Sequence, residues 1–442
     1  MKREGTNNMA EYEELDSIIG KMKRAAIDCW MADQSFSPHW GNDMIYAKWG
    51  FMLNYYNRPE ADGSGGGTGN GVKDSVAEEF EQIRASIDAL VSPWTDLPDG
   101  SECSTPQSMV SSTSGLLGSS SSGENTDAIA TSSGTVEQYL GPIQARFKEP
   151  FLDKYYTQFS LVTNGLANAC VILEANYAAE LEMWPAARTD VATLCDSARG
   201  AWEKKSDDAA AASGTLTLTV VAAVAGVVAS VVTAGAGTVA AVAALGTIGA
   251  AASTAVAAIA ADAVISGNTY GDIYSSLSDA LDKLDTALRE QEDALATMMS
   301  DTSDAISSQI ADFNLDAFPF GELTAPGGTM SIERSDSNIV SNNLGRIEGS
   351  LASAISQLGA PPASNPTPRD SRIGLGFNGT HGQATYLYEL VASCLTLTSA
   401  EYTRGHLLFD AAVEDFFSSD DAAKERVNAL RADEALTTET GY

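Results

Sequence analysis

The side chains that could carry chemistry are few and scattered. His39, His381 and His406 lie far apart, and none has a metal-ligating neighbour at helical spacing, so they outline no metal centre. Five cysteines (Cys29, Cys103, Cys170, Cys195, Cys394) show no CxxC spacing. Their odd number excludes complete pairing, and three fall on apolar helical faces, where a thiol acts as a small hydrophobe. Gly63 to Gly71 is glycine-rich, but no Gly-Lys-Ser or Gly-Lys-Thr follows to cradle a phosphate, and Gly-x-Ser-x-Gly is missing. Carboxylates are abundant on polar helix faces, with no pair singled out as general acid and base. The sequence thus predicts a non-catalytic protein with no cofactor and no metal.

The elements that would position any site read as helices. Val76, Phe80, Ile83, Ile87, Leu90 and Trp94 step by threes and fours along one stripe. A second stripe runs through Leu152, Tyr155, Phe159, Val162, Leu166, Ala169, Leu173 and Tyr177, after which Pro185 should interrupt or kink the helix. A third joins Tyr274, Leu277, Leu281, Leu284, Leu288, Leu295 and Met298, and a fourth Val340, Leu344, Ile347, Leu351, Ala354 and Leu358. Almost no alternating run calls for a sheet. The expected fold is all-α: a long antiparallel bundle with a central apolar hairpin and a C-terminal two-helix hairpin.

Composition divides the 442 residues. The expected units are an N-terminal helical segment (1–56), a glycine-rich linker (57–74), a helix (75–95) and a disordered Ser/Gly-rich linker (96–135). Long helices (136–208), an apolar hairpin (209–265), an amphipathic helix (266–318) and a C-terminal hairpin (330–435) follow. The net charge of −33 leaves no basic stripe for nucleic acid and no attraction to an anionic bilayer, so any lipid affinity must come from apolar burial. The first residues form no secretory signal, which makes any export leaderless.

The apolar hairpin is the most unusual segment. No charge occurs from Ala209 to Ala261, although Asp207, Asp208 and Asp262 flank it. Two apolar legs, beginning near Leu216 and Val239, are separated by a turn at Gly235 and Gly237, and each approaches the roughly 20 residues of one membrane crossing. Gly226 and Ser230 in the first leg, and Gly249 and Ser253 in the second, continue a four-residue rhythm of small side chains that lets helices pack closely in lipid. A β-hairpin is the lesser alternative, suggested by Thr215 to Val220 and the many valines. Two destinations stay open: insertion into a lipid membrane, or permanent burial inside a bundle or multi-subunit assembly.

Phe377-Asn378-Gly379, between the fourth stripe and a following helical segment carrying Leu387, Leu390, Val391, Cys394, Leu397 and Tyr402, resembles the turn of the Trp-x-Gly helical-hairpin proteins exported by type VII secretion systems. That resemblance implies an aromatic ring at Phe377 plugging the end of the two-helix seam and a reversal at Gly379. The family's export signal is similar to Tyr followed four residues later by an acid. Tyr12–Asp16 and Tyr56–Glu60 have that spacing, whereas Tyr402 has His406 in that place. The order helix, apolar hairpin, helix also resembles α-helical pore-forming toxins. Together these likenesses imply a secreted virulence or competition factor that becomes membrane-associated, with a homo-oligomer or a helical protein as partner.

Overall fold

The computed structural model describes residues 11–37, 44–49, 53–71, 75–118, 128–143, 145–207, 212–219, 262–321 and 332–439. Helix makes up 74% of it and strand 5%, and the fold is an all-α bundle. The helices are α1 (Leu15–Asp33), α2 (Val76–Val91), α3 (Ser104–Leu116), α4 (Ala128–Leu140), α5 (Lys148–Leu152) and α6 (Phe159–Asp207). The chain continues through α7 (Tyr270–Ser308), α8 (Arg334–Leu358) and α9 (His381–Glu439). Two antiparallel ribbons complete it: β1 (Ile45–Trp49) with β2 (Leu53–Asn57), and β3 (Ala212–Thr217) with β4 (Asp262–Gly267).

Helix α6 is the axis, with α1, α3, α7 and α9 packed around it. That explains its composition: from Leu166 to Glu180 every residue is buried, so the segment reads apolar all round rather than amphipathic. It runs on through Pro185, whose missing N–H leaves the Leu181 carbonyl without its helical donor. Gly100 lies against this point with φ +74°, so close that a Cβ would meet the Glu180 carbonyl. The sequence stripes supply the core: Phe80, Ile83 and Ile87 of α2, Leu277, Leu281, Leu284 and Leu288 of α7, and Val340, Leu344, Ile347 and Leu351 of α8 are all buried. Helices α8 and α9 run antiparallel, as Tyr388 donates to the Leu358 carbonyl while Ser341 meets His406 at 3.0 Å.

Three compositional expectations fail. The segment 96–135 is not a linker within its described part: α3 packs on α6 and α8, and α4 on α8. Cys103, Pro106, Val110, Thr113 and Leu117 form a buried stripe in which small polar residues stand where larger apolar ones are usual. Thr113 satisfies its hydroxyl on the Met109 carbonyl at 2.8 Å, so burial leaves nothing unpaired.

The glycine-rich stretch 57–74 is, in its described part from Asn57 to Gly71, a folded turn and not a linker. Gly63, Gly65, Gly66 and Gly67 all adopt positive φ and wind the chain around Arg84 of α2. Its guanidinium donates to the carbonyls of Gly63 (2.6 Å) and Gly65. The N-terminal unit, in turn, is not purely helical. Five-residue strands rich in Tyr and Trp pair from Ile45↔Asn57 to Trp49↔Leu53, an alternation too short to register against helical periodicity.

Candidate functional site: a sealed polar centre and the base of the apolar segment

The apolar segment is rooted in a β-ribbon, which corrects the expected helical hairpin over 209–265 at both of its ends. Strands β3 and β4 pair from Ala212↔Gly267 to Thr217↔Asp262, and Leu216 stands opposite Ala263. The β-branched Thr215 and Thr217, paired in register with Val264 and Asp262, favour an extended backbone over the helix suggested by apolar content. β4 lies on α7, with Ala263 and Ile265 buried and Val264 outward.

Side chains fasten this root. Ser276 of α7 donates to the Val264 carbonyl (2.6 Å) and accepts from the Ser266 N–H (3.0 Å). Asp190 of α6 accepts from the backbone N–H and hydroxyl of Thr219 at 2.9 and 2.8 Å. Thr269 caps α7 by accepting from the Asp272 N–H at 3.2 Å. Gly226, Ser230, Gly235, Gly237, Gly249 and Ser253 lie outside the described residues. Among the described residues, no helix is long and apolar enough to cross a membrane.

The second feature is a buried charged centre that sequence reasoning missed. Glu180 and Trp184 come from α6, Glu292 from α7, and Thr367, Arg369 and Thr380 from the loop joining α8 to α9. Glu292 and Arg369 form an ion pair with both side chains wholly inaccessible, and the guanidinium lies 4.4 Å over the Trp184 ring. Arg369 also donates to the Thr367 carbonyl at 3.0 Å. Glu180 accepts from the hydroxyls of both Thr367 and Thr380. Glu292 accepts from the Leu375 N–H at 2.7 Å, and Asp285 from the Gly374 N–H at 2.7 Å.

Two carboxyl groups share this buried centre with one guanidinium. Burial foremost pushes the Glu292 carboxyl up to about 7; Arg369 pulls it down and Glu180 pushes it further up. Sealed from solvent, the centre offers no path to a substrate, and its geometry is that of a fastening between loop, α6 and α7.

Gly379 belongs to this centre. Its φ is +48°, and a Cβ there would strike the Arg369 guanidinium and Glu292. Gly374, at φ +56°, would strike Glu292 in the same way. Phe377 does not plug the helical seam: it is 57% exposed, and its contribution is a carbonyl that accepts from Asn365 at 2.6 Å. The buried Tyr388, donating to the Leu358 carbonyl, stands where α8 ends. An aromatic beside a glycine marks a turn, but the backbone direction set by the Arg369 fastening turns this ring outward.

The remaining titratable groups follow the same structural pattern. Lys154 pairs with Glu401 at 2.7 Å, both nearly buried, and Tyr155 donates to the same carboxylate at 2.8 Å. Asp28 accepts from Tyr46 (2.6 Å) and from the Arg58 Nε (2.8 Å). His406 stands between Glu348 (3.1 Å) and Asp410 (3.4 Å), His381 opens α9, and His39 is outside the described residues. Among the described residues, no three His, Cys, Asp or Glu are grouped to hold a metal. All five cysteines are buried and unpaired, and burial pushes their thiols up, to about 12 for Cys29 and about 11 for Cys394. No protein-family model, no curated protein and no solved structure matches this chain.

Proposed function

We propose that this protein is a non-catalytic, membrane-inserting helical protein, whose bundle carries the charge-free segment and delivers it to a lipid bilayer. The observation that carries this reading is the β3–β4 register. It holds Thr217 opposite Asp262, so the two ends of the 44-residue stretch between them lie side by side. A segment with adjacent ends enters a bilayer as a hairpin, and two legs of about 20 residues each span about 30 Å as helices. The root is firmly held: hydrogen bonds from Ser276 and Asp190 tie it to α7 and α6. With 59 acids against 26 bases, binding would be driven by apolar burial and should favour neutral lipid.

Export by a type VII route is part of the proposal. The antiparallel α8–α9 pair supports that part of the reading, and the exposed Phe377 does not. A second reading, a structural protein whose apolar segment stays covered within an assembly, draws support from the exposed Leu397, Leu407 and Leu408 of α9. Vesicle leakage separates them. The full-length protein should release dye from neutral vesicles, and Val228→Asp or Ala244→Asp should abolish release, since a charge at a bilayer centre costs about 2.5–3.5 kcal/mol. Variants that stay folded and leak as the parent does would overturn insertion. Variants that lose solubility instead would favour the covered-segment reading.

A further inference from the structure

We propose that α9 pairs with α9 of a second copy of this chain, antiparallel, about a two-fold axis between Thr396 and Leu397. The observation is an exposed stripe within a helix whose opposite face is firmly buried. Steps of about 100° per residue put Tyr386, Leu390, Leu397, Arg404, Leu407 and Leu408 within about 60° of one line. Tyr386, Leu397, Leu407 and Leu408 are 55%, 43%, 65% and 52% exposed, nearly half of the large exposed hydrophobics among the described residues. The small Ser393 and Ala400 fill the steps between them, and the apolar repeat alternates threes and fours as a helix-pairing seam requires. The other side of α9 is occupied by Leu387, Val391, Cys394 and Leu395, all buried.

Charge identifies the occupant. The chain carries 59 acids, so most of its surface repels a second copy. From His381 to Phe409, however, α9 holds only two acids, Glu389 and Glu401, and Glu401 is turned inward onto Lys154. That leaves one exposed acid, Glu389, and one exposed base, Arg404, on the same side and 15 residues apart. A two-fold axis midway between them sets Glu389 of one copy against Arg404 of the other, twice, and Tyr386 against Leu407. A parallel pair would instead oppose Glu389 with Glu389 and Arg404 with Arg404, so the charges select the antiparallel arrangement. Arg404 has only a long 3.6 Å contact to Glu401 within its own chain, and it is 71% exposed.

The contact length from Tyr386 to Leu408 is about 33 Å of one helix face, at the small end of specific interfaces, so the dimer should dissociate on dilution. The pairing does not depend on membrane insertion. Sedimentation velocity on the full-length protein over a concentration series, without lipid, tests it. The parent should show a monomer–dimer equilibrium, and Leu397→Glu, at the axis and on an exposed site, should be monomeric with an unchanged melting curve. Arg404→Glu should raise the dissociation constant roughly tenfold, because both pairs become repulsive. The charge swap Glu389→Arg with Arg404→Glu should return it to within about twofold of the parent. A parent that is monomeric throughout overturns the proposal, whether the stripe then belongs to the apolar segment or to a different protein. So does a dimer indifferent to Leu397→Glu, and a charge swap that restores nothing excludes the antiparallel register.

Discussion

Two loops that composition marks as breaks are each built around one arginine, and they are built differently. In the turn after β2, Arg84 sits among glycine carbonyls, and its one carboxylate partner, Glu81, is largely exposed. In the loop before α9, Arg369 sits between the Trp184 face and the buried carboxylate of Glu292. Carbonyls carry no net charge, so the first arrangement holds the chain without stranding an ion when one partner is lost. The second ties three elements together more tightly, and it leaves buried charge behind if any partner goes.

Removing the guanidinium should therefore separate the two loops most clearly. Arg369→Met strands Glu292 in the core, and chemical denaturation should register a loss of about 3–5 kcal/mol. Equal losses for Arg369→Met and for Arg84→Met would erase the distinction drawn here. The next effect is pH dependence. The Glu292 carboxyl is raised to about 7 from an ordinary value of 4.5, so the folded state binds the extra proton. Its contribution is fully present below about pH 4.5 and is lost as pH rises through 7, a decline of about 3 kcal/mol. Glu292→Gln should remove that part of the decline in melts recorded from pH 5 to 8; an unchanged slope would mean that the centre does not titrate in this range. Arg84→Met should cost about 1–3 kcal/mol, the range for buried carbonyls that lose a donor, with the same pH slope as the parent. Phe377→Ala, at an exposed ring, should change stability by less than about 0.5 kcal/mol. A loss of several kcal/mol there would place the ring in the core after all.

The helices were legible because apolar side chains recur at the spacing of a helix face, and the stripes of α2, α7 and α8 are buried along that spacing, with Leu90 and Tyr274 only partly buried. The polar centre left a fainter trace. The α7 stripe passes from Leu288 to Leu295 with Gln291 and Glu292 standing in the gap, and both are fully buried. An acid inside an apolar stripe is the sign of a buried partner, but nothing local says that the partner is Arg369, 77 residues away. The linkers misled for the opposite reason. Glycine and serine raise the entropy of the unfolded chain, yet positive-φ glycines around Arg84 and self-satisfied hydroxyls in α3 offset that cost through contacts that composition does not report.

Whether the segment between β3 and β4 enters a bilayer can be read from the position of Ala244 against lipid. All five native cysteines are buried, so a single added Ala244→Cys can carry an environment-sensitive fluorophore on the otherwise intact chain. With neutral vesicles the emission should shift to the blue and be quenched by brominated acyl chains. An emission that neither shifts nor is quenched on adding vesicles would contradict membrane insertion.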